Sequence, residues 1–300
     1  MEETEKIWMD GKFVDWKDAK VHVLTHTLHY GMGVFEGIRF YKTDSGTAVF
    51  RLNEHLDRLF RGAETAFMKV PYSKEEFKKA ALETVRVNGL EEGYIRPIIF
   101  YGYGKMGVHP AGAPVNCAIA VWPWGKYLGE GEVRVKVSSF IRIHPKSTHC
   151  DCKICGHYVN GIFASFEAKN AGYTEALLLD CNGNVAEGVG ENIFIVKNGV
   201  IKTPPLGNIL PGITRDSVIK LAKDLGYEVE EVNLKVRDLK EADEAFFTGT
   251  AAEITPIAQV DETRIKNAFG KVTKTLQEEF FRLVRGKNRK YASWMTFVKT

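Results

Sequence analysis

The sequence predicts a two-domain α+β protein: a small N-terminal α/β domain, then a larger domain built mainly from antiparallel strands. Three observations carry this expectation. Apolar residues recur at helical spacing in well-separated segments, the mark of helices that bury one face. Between them, short β-rich runs are joined by Asp10-Gly11, Asn182-Gly183 and Asn198-Gly199, dipeptides that supply the positive φ angles of tight hairpins. Near the middle of the 300 residues, glycines crowd the stretch Trp124-Gly125-Lys126-Tyr127-Leu128-Gly129-Glu130-Gly131, which reads as an interdomain connection. The predicted division is 1–124, a loop over 125–132, and 133–300.

In chain order, Asp10-Gly11 joins strands at Ile7-Trp8-Met9 and Phe13-Val14, and Ser45-Gly46 precedes a strand at Ala48-Val49-Phe50. Leu56, Leu59, Phe60 and Ala63 fit one helical face. Phe77, Ala81 and Val85 fit another, on a helix that stops at Asn88-Gly89. Strands are expected over Tyr94–Tyr101, Ala118–Val121 and Val133–Val137 from their β-branched and aromatic content. A helix follows over Gly161–Asn170, with Ile162, Phe163 and Phe166 as its shared apolar face. The two Asn-Gly hairpins then make the second half antiparallel rather than a Rossmann repeat. A helix starting at Thr214-Arg215-Asp216-Ser217 presents Val218, Ile219, Leu221, Ala222 and Leu225 and stops at Gly226. Strands at Tyr227–Val232 and Glu244–Thr248 and a helix over Val272–Leu283 follow, and the basic run Arg285–Lys290 reads as a solvated tail.

Composition narrows the function. Hydrophobic residues at 44% and charged residues at 26% are ordinary for a soluble globular chain. With 41 basic and 38 acidic residues, a net +3, there is no overall field to recruit nucleic acid or an anionic membrane. The start is acidic and lacks an apolar core, and no run is long enough to span a bilayer, so a cytoplasmic location is expected. Five cysteines, three of them at 150, 152 and 155, are not spread like a disulfide framework. Small-molecule chemistry is the expectation.

The chemistry is carried by Lys153-Ile154-Cys155-Gly156-His157-Tyr158 and, farther on, Glu187-Gly188-Val189-Gly190-Glu191-Asn192. A lysine able to form an imine, a tyrosine on the same short segment and a downstream carboxylate are the parts needed to hold and tune pyridoxal phosphate. Other segments join them in order: Leu28-His29-Tyr30-Gly31-Met32-Gly33-Val34-Phe35-Glu36-Gly37-Ile38-Arg39, Glu54–Leu59, Tyr94-Ile95-Arg96-Pro97, Trp122–Tyr127, Gly212–Asp216 and Thr248-Gly249-Thr250-Ala251-Ala252-Glu253. Together they closely resemble the branched-chain amino-acid aminotransferases, pyridoxal-phosphate enzymes of fold type IV with a D-amino-acid-aminotransferase-like architecture.

The resemblance implies transamination between branched-chain L-amino acids (leucine, isoleucine, valine) and 2-oxoglutarate. It makes Lys153 the lysine that carries the cofactor and moves the proton at the substrate α-carbon. Tyr158 matches the partner of the cofactor's phenolic oxygen, and Glu187 the carboxylate at its ring nitrogen, where an anion favours the protonated ring. Arg58, Ile213, Thr214 and Thr250 match the phosphate site, and the sequence independently supplies a helix start there, a natural anion site. Leu210 matches the residue under the ring. Phe35, Tyr30, Met106, Val108, Trp124 and Tyr127 match side-chain pocket walls. Arg96 matches the receiver of glutamate's far carboxylate, and Tyr94 with Ala251 and Ala252 the α-carboxylate site. A homodimer, or a larger oligomer of dimers, is implied, with Tyr30 and Met106–Val108 serving the neighbouring subunit's site.

Around the lysine the chain departs from the family's usual small residues and Gly-Asn-Tyr. His149-Cys150-Asp151-Cys152-Lys153-Ile154-Cys155-Gly156-His157 is rich in zinc-ligand types, which admits a metal- or redox-sensing alternative. No second Cys-x-x-Cys is present, no metal is expected, and free thiols are the simpler expectation. Within the fold, a D-amino-acid aminotransferase or an aminodeoxychorismate lyase would share Lys153 and Glu187. The Phe-Glu-Gly-Ile-Arg, Tyr-Ile-Arg-Pro and Thr-Gly-Thr-Ala-Ala runs favour the branched-chain group.

Overall fold

The computed structural model describes residues 2–125, 128 and 132–299. Among these, seven α-helices occur: α1 His26–Tyr30, α2 Leu52–Thr65, α3 Lys74–Val87, α4 Tyr158–Asn170, α5 Ile213–Asp224, α6 Val236–Lys240 and α7 Lys271–Val284. Contacts divide the chain into two compact units. One comprises Met1–Gly125, Cys152–His157 and Leu283–Thr300, and the other Lys126–Asp151 and Tyr158–Arg282. The predicted division at 124 and 133 instead leaves the lysine segment and the C-terminal residues with the second domain.

In the first unit an antiparallel sheet runs Met295–Phe297, Gly46–Phe50, Ile38–Thr43, Gly93–Tyr101, Val115–Trp122, Lys6–Met9, Lys12–Asp15, with Gly33–Phe35 also paired to Gly93–Tyr101. The Asp10-Gly11 hairpin forms because both residues take positive φ, 46° and 88°. The second helix of this unit, α2, buries Leu56, Leu59 and Ala63, as its spacing predicts. A Ser73–Glu76 capping box starts α3, and Gly89 in the left-handed region follows its end. Both helices contribute to one core with Trp8, Val34, Ile38, Phe40, Ile95 and Ile99.

The second unit's sheet runs Val185–Gly188, Glu175–Leu179, Val133–Ile141, Glu253–Val260, Glu244–Gly249, Asn192–Lys197, Val200–Thr203, Val229–Glu231. Most pairings are antiparallel, but Val133–Ile141 lies parallel to both its neighbours, and Val200–Thr203 lies parallel to Val229–Glu231. Parallel neighbours need a crossover, and α4 and α5 provide two. The pairing of Glu187 with Asn192 joins Val185–Gly188 to Asn192–Lys197, so six of the strands close into a ring.

Three expectations are corrected. Ile162, Phe163 and Phe166 do not face the core of α4: they are 51%, 53% and 63% exposed, and the buried residues are Gly161, Ala164 and Ala168. The small side faces inward because the chain is close there; a Cβ on Gly161 would sit 3.0 Å from Val189 Cγ1. The run Arg285–Lys290 is solvated, with Lys287, Arg289 and Lys290 exposed, but it is not a tail. Arg285 donates to Glu92 at 2.6 Å, and Met295–Phe297 adds a strand beside Gly46–Phe50. Leu225 lies at the C-cap of α5, partly exposed, rather than on its buried face. The strand Glu253–Val260 was not legible in advance, since its internal Pro256 argues against a central strand. No helix among the described residues is long and apolar enough to cross a membrane.

Candidate active site

Three consecutive residues organise the site in the first unit. Phe35 ends the strand Gly33–Phe35, whose partner on one side is Gly93–Tyr101. On its other side lies the lysine segment: Val34 bridges Ile154, and the Phe35 amide donates to the Lys153 carbonyl at 3.1 Å. The Phe35 ring lies 5.0 Å from Lys153 Nζ and 4.8 Å from the Arg96 guanidinium, contacts that favour both cations. Glu36 points the other way into the core. Gly37 must lack a side chain, because a Cβ there would meet the Tyr94 hydroxyl at 1.8 Å.

Glu36 is fully buried and receives two hydrogen bonds from Arg58, Nε to Oε1 at 2.5 Å and Nη2 to Oε2 at 2.8 Å. His55 Nδ1 joins it at 2.7 Å from Oε2. Arg58 is therefore a buried arginine held in a fork-to-carboxylate pair, not an exposed helix residue. Burial opposes ionisation of Glu36, but the Arg58 charge and the hydrogen bonds outweigh it and keep its carboxyl well below the usual range. For His55, burial dominates and pushes the imidazole below its ordinary 6.5, so it serves as a neutral donor to Glu36.

A pH dependence follows. A histidine depressed by folding binds its proton more readily in the unfolded chain, so stability falls as pH drops through 6.5. Glu36, also depressed, contributes stability that is present above its ordinary 4.5 and lost below it. His55 is expected to contribute a slope of at most about 1.4 kcal/mol per pH unit in the upper window. Urea unfolding between about pH 7.5 and pH 5.5 measures it, and His55→Gln should flatten the slope. An unchanged slope in that variant assigns the effect elsewhere.

Arg96 and Tyr94 share a face of the strand Gly93–Tyr101. Besides Phe35, the Arg96 guanidinium lies 5.4 Å from the Tyr94 ring and 5.8 Å from Trp122, and its buried Nε has no hydrogen-bond partner. Trp124 stacks on Tyr94 at 5.0 Å. This is a cation walled by aromatic rings with one donor unspent, an arrangement suited to a carboxylate ligand. Cys155 is close by: burial pushes its thiol up, and Arg96 and Lys153 only partly offset that. Burial also raises Cys150, and Cys152 lies in the core. Among the described residues no three His, Cys, Asp or Glu side chains converge as a metal site.

The second unit places Glu187 at the ring closure. Arg142 Nε donates to its Oε1 at 2.5 Å, Asn192 Nδ2 to Oε2 at 3.0 Å, and the Leu210 amide to Oε2 at 3.1 Å. Asn192 also donates to the Leu210 carbonyl at 3.0 Å, so one side chain fixes both the carboxylate and the chain leading into α5. Gly212, the N-cap of α5, has to be glycine, since a Cβ would lie 1.9 Å from Asn192 Oδ1. The N-cap residue of α5 is a glycine with no side chain to cap it, and Ile213 and Thr214 form its first turn, where backbone N–H groups and the dipole favour an anion. Thr250, Ala251 and Ala252 form the turn between the strands Glu244–Gly249 and Glu253–Val260. Thr248, opposite Asn192, keeps a buried hydroxyl with no partner. A buried carboxylate, a helix start with glycine at its N-cap and an unpaired hydroxyl in one unit fit a group bearing a protonated ring and a phosphate.

Tyr158 is the first residue of α4. Tyr30, Met106 and Val108 are exposed, at 42%, 41% and 83%. Tyr127 lies outside the described residues. Four residues gained a part only from the structure: Glu36, His55, Arg142 and Asn192. Glu36, His55 and Asn192 stand inside the recognised motifs, which was their only signal; nothing local marked Arg142.

Residues 33–260 match the family described as amino-transferase class IV. The chain is 49% identical over 298 residues to a branched-chain-amino-acid aminotransferase of Pseudomonas aeruginosa, covering 98% of this chain and 97% of that one. It is 45% identical over 299 residues to the enzyme of that name from Escherichia coli, covering 97% of each. The crystal structure of the T.th. branched-chain amino acid aminotransferase complexed with N-(5'-phosphopyridoxyl)-L-glutamate is similar with a TM-score of 0.96 and 44% identity over the full length of both chains.

Proposed function

Since the chain belongs to the class-IV aminotransferases, and within them to the branched-chain amino-acid aminotransferases, we propose that it exchanges the amino group between leucine, isoleucine or valine and 2-oxoglutarate with pyridoxal phosphate as cofactor. When bound, the cofactor supplies the electron sink that makes the substrate's α-proton labile. Lys153 holds the cofactor and moves that proton. Glu187 pairs with the ring nitrogen and Tyr158 with the phenolic oxygen, while Leu210 packs under the ring. Arg58, the first turn of α5 at Ile213 and Thr214, and Thr250 bind the phosphate. Tyr94, Ala251 and Ala252 take the α-carboxylate, and Phe35, Trp124 and Tyr127 wall the side-chain pocket with Tyr30, Met106 and Val108.

The observation that carries the two-substrate reading is Arg96, a cation with an unpaired Nε among Phe35, Tyr94 and Trp122. Its rings suit a branched apolar side chain and its guanidinium suits glutamate's far carboxylate. Arg96→Ala should weaken glutamate and 2-oxoglutarate by about 1.5–3 kcal/mol in kcat/KM and leucine by much less. Equal losses would make Arg96 structural. A panel of L- and D-amino donors with 2-oxoglutarate tests the reaction itself, and preference for D-donors would overturn it.

The working unit is a homodimer. Exposed apolar side chains on Tyr30, Met106 and Val108, and on Phe140 stacked at 5.5 Å with Phe163, support pairing with a second copy. Lys153→Ala and Tyr30→Ala, dissociated and reassociated together, should recover activity in mixed dimers if Tyr30 serves its partner's site. No recovery in verified mixed dimers of two inactive variants sinks that arrangement. A cytoplasmic location accords with the five free cysteines, and recovery with a periplasmic or extracellular fraction would contradict it.

A further inference from the structure

The short helix α1 holds the loop that carries Met106 and Val108. His26 donates its backbone N–H to the Gly102 carbonyl at 3.1 Å, and its ring Nε2 donates to the Gly107 carbonyl at 2.9 Å. One residue thus pins the start of the loop and a point within it. The next residue secures the helix: the Thr27 hydroxyl donates to the Met32 carbonyl at 2.6 Å and lies 3.0 Å from the Tyr101 carbonyl. At its other end, Gly31 accepts from the Gly156 amide at 2.9 Å, which ties α1 to the lysine segment.

The loop closes through the Gly102 amide, which donates to the Pro114 carbonyl at 2.7 Å, and within it Gly104 and Gly107 both take positive φ, 144° and 118°, which glycine adopts without strain. His26 is almost wholly buried, and its ring lies 4.6 Å from Tyr30 and 5.8 Å from Tyr101. Facing a carbonyl, Nε2 must carry the proton. Nδ1 is then a buried acceptor without a partner, a costly arrangement. What the ring gains in return is the bond to Gly107 and the contact with Tyr30. Because Gly107 lies between Met106 and Val108, the place of its carbonyl sets both side chains relative to Tyr30.

We propose that His26 is a positioning residue for substrate selection, holding Gly107 so that Met106 and Val108 stand against Tyr30 as one wall of the side-chain pocket. The inference rests on the reading above that these three residues meet substrate. Its consequence is a change in KM rather than in proton transfer, because His26 touches the wall and not the reacting atoms.

The test uses the purified holoenzyme. His26→Phe keeps a ring beside Tyr30 and removes the donor to Gly107. It should raise the KM for leucine about tenfold, the scale of one lost buried hydrogen bond, with kcat changed less than about twofold. The KM for 2-oxoglutarate should move less, because Arg96 holds its far carboxylate. His26→Gln, which can still donate to Gly107, should restore most of the loss. If His26→Phe fails to fold, His26→Asn, too short to reach Gly107, is read in the same way. An unchanged leucine KM, or a fall in kcat alone that His26→Gln does not rescue, overturns the proposal. Met106→Ala separates the two claims: if it leaves KM untouched, the loop does not meet substrate and the proposal falls with that reading. If it shifts KM and the His26 variants do not, only the His26 role fails.

Discussion

Lys153→Ala is expected to lower the transamination rate by roughly 10⁴-fold or more, because the residue serves both as covalent anchor and as proton carrier. The loss should come with little unfolding. Lys153 is only partly buried, and its segment is secured by backbone pairing, Val34 with Ile154 and Phe35 with the Lys153 carbonyl, which a side-chain change leaves in place. Borohydride reduction of the holoenzyme followed by peptide mapping should recover the pyridoxyl group on Lys153. Its recovery on a different lysine, or substantial turnover by Lys153→Ala, would refute the assignment. The near-isosteric Lys153→Met separates loss of chemistry from loss of packing.

Glu187→Gln should lose about 10²–10³-fold in kcat, the scale of removing one preorganised electrostatic partner. It should also destabilise the fold. Arg142 and Glu187 are a buried pair whose side chains are 10% and 8% exposed, and stripping one charge from such a pair costs about 3–5 kcal/mol because the other is left uncompensated. The two effects have different cures. In Glu187→Gln/Arg142→Met the orphaned cation is gone, so urea-unfolding stability should return most of the way while activity stays low. If activity returned with stability, Glu187 would be a structural partner of Arg142. If Glu187→Gln alone were fully active, its role at the ring nitrogen would be wrong.

Helical spacing was enough to locate α2, α3 and α5, because a period of 3.6 is written within a dozen residues. Dipeptides needing positive φ likewise placed the hairpins at Asp10-Gly11 and Asn198-Gly199. The motifs identified the family for the same reason: Phe35-Glu36-Gly37 and Glu187–Asn192 are contiguous, so their chemistry can be read in one place. Spacing could not say which side of α4 faces inward. A helix that must approach a sheet closely buries its smallest residues, so Gly161, Ala164 and Ala168 displaced Ile162, Phe163 and Phe166 from the interior.

By itself, then, the sequence determined the longer helices, the glycine-marked hairpins, the family and the reaction class. Only the tertiary structure decided which partners hold the site: Glu36 with Arg58 and His55, Arg142 with Glu187 across 45 positions, Asn192 with Leu210, and His26 with Gly107. Each of these bonds joins residues that no local period connects. A buried charge or carbonyl accepts whichever donor the packed chain delivers, and that donor is known only when the strands and helices have taken their places.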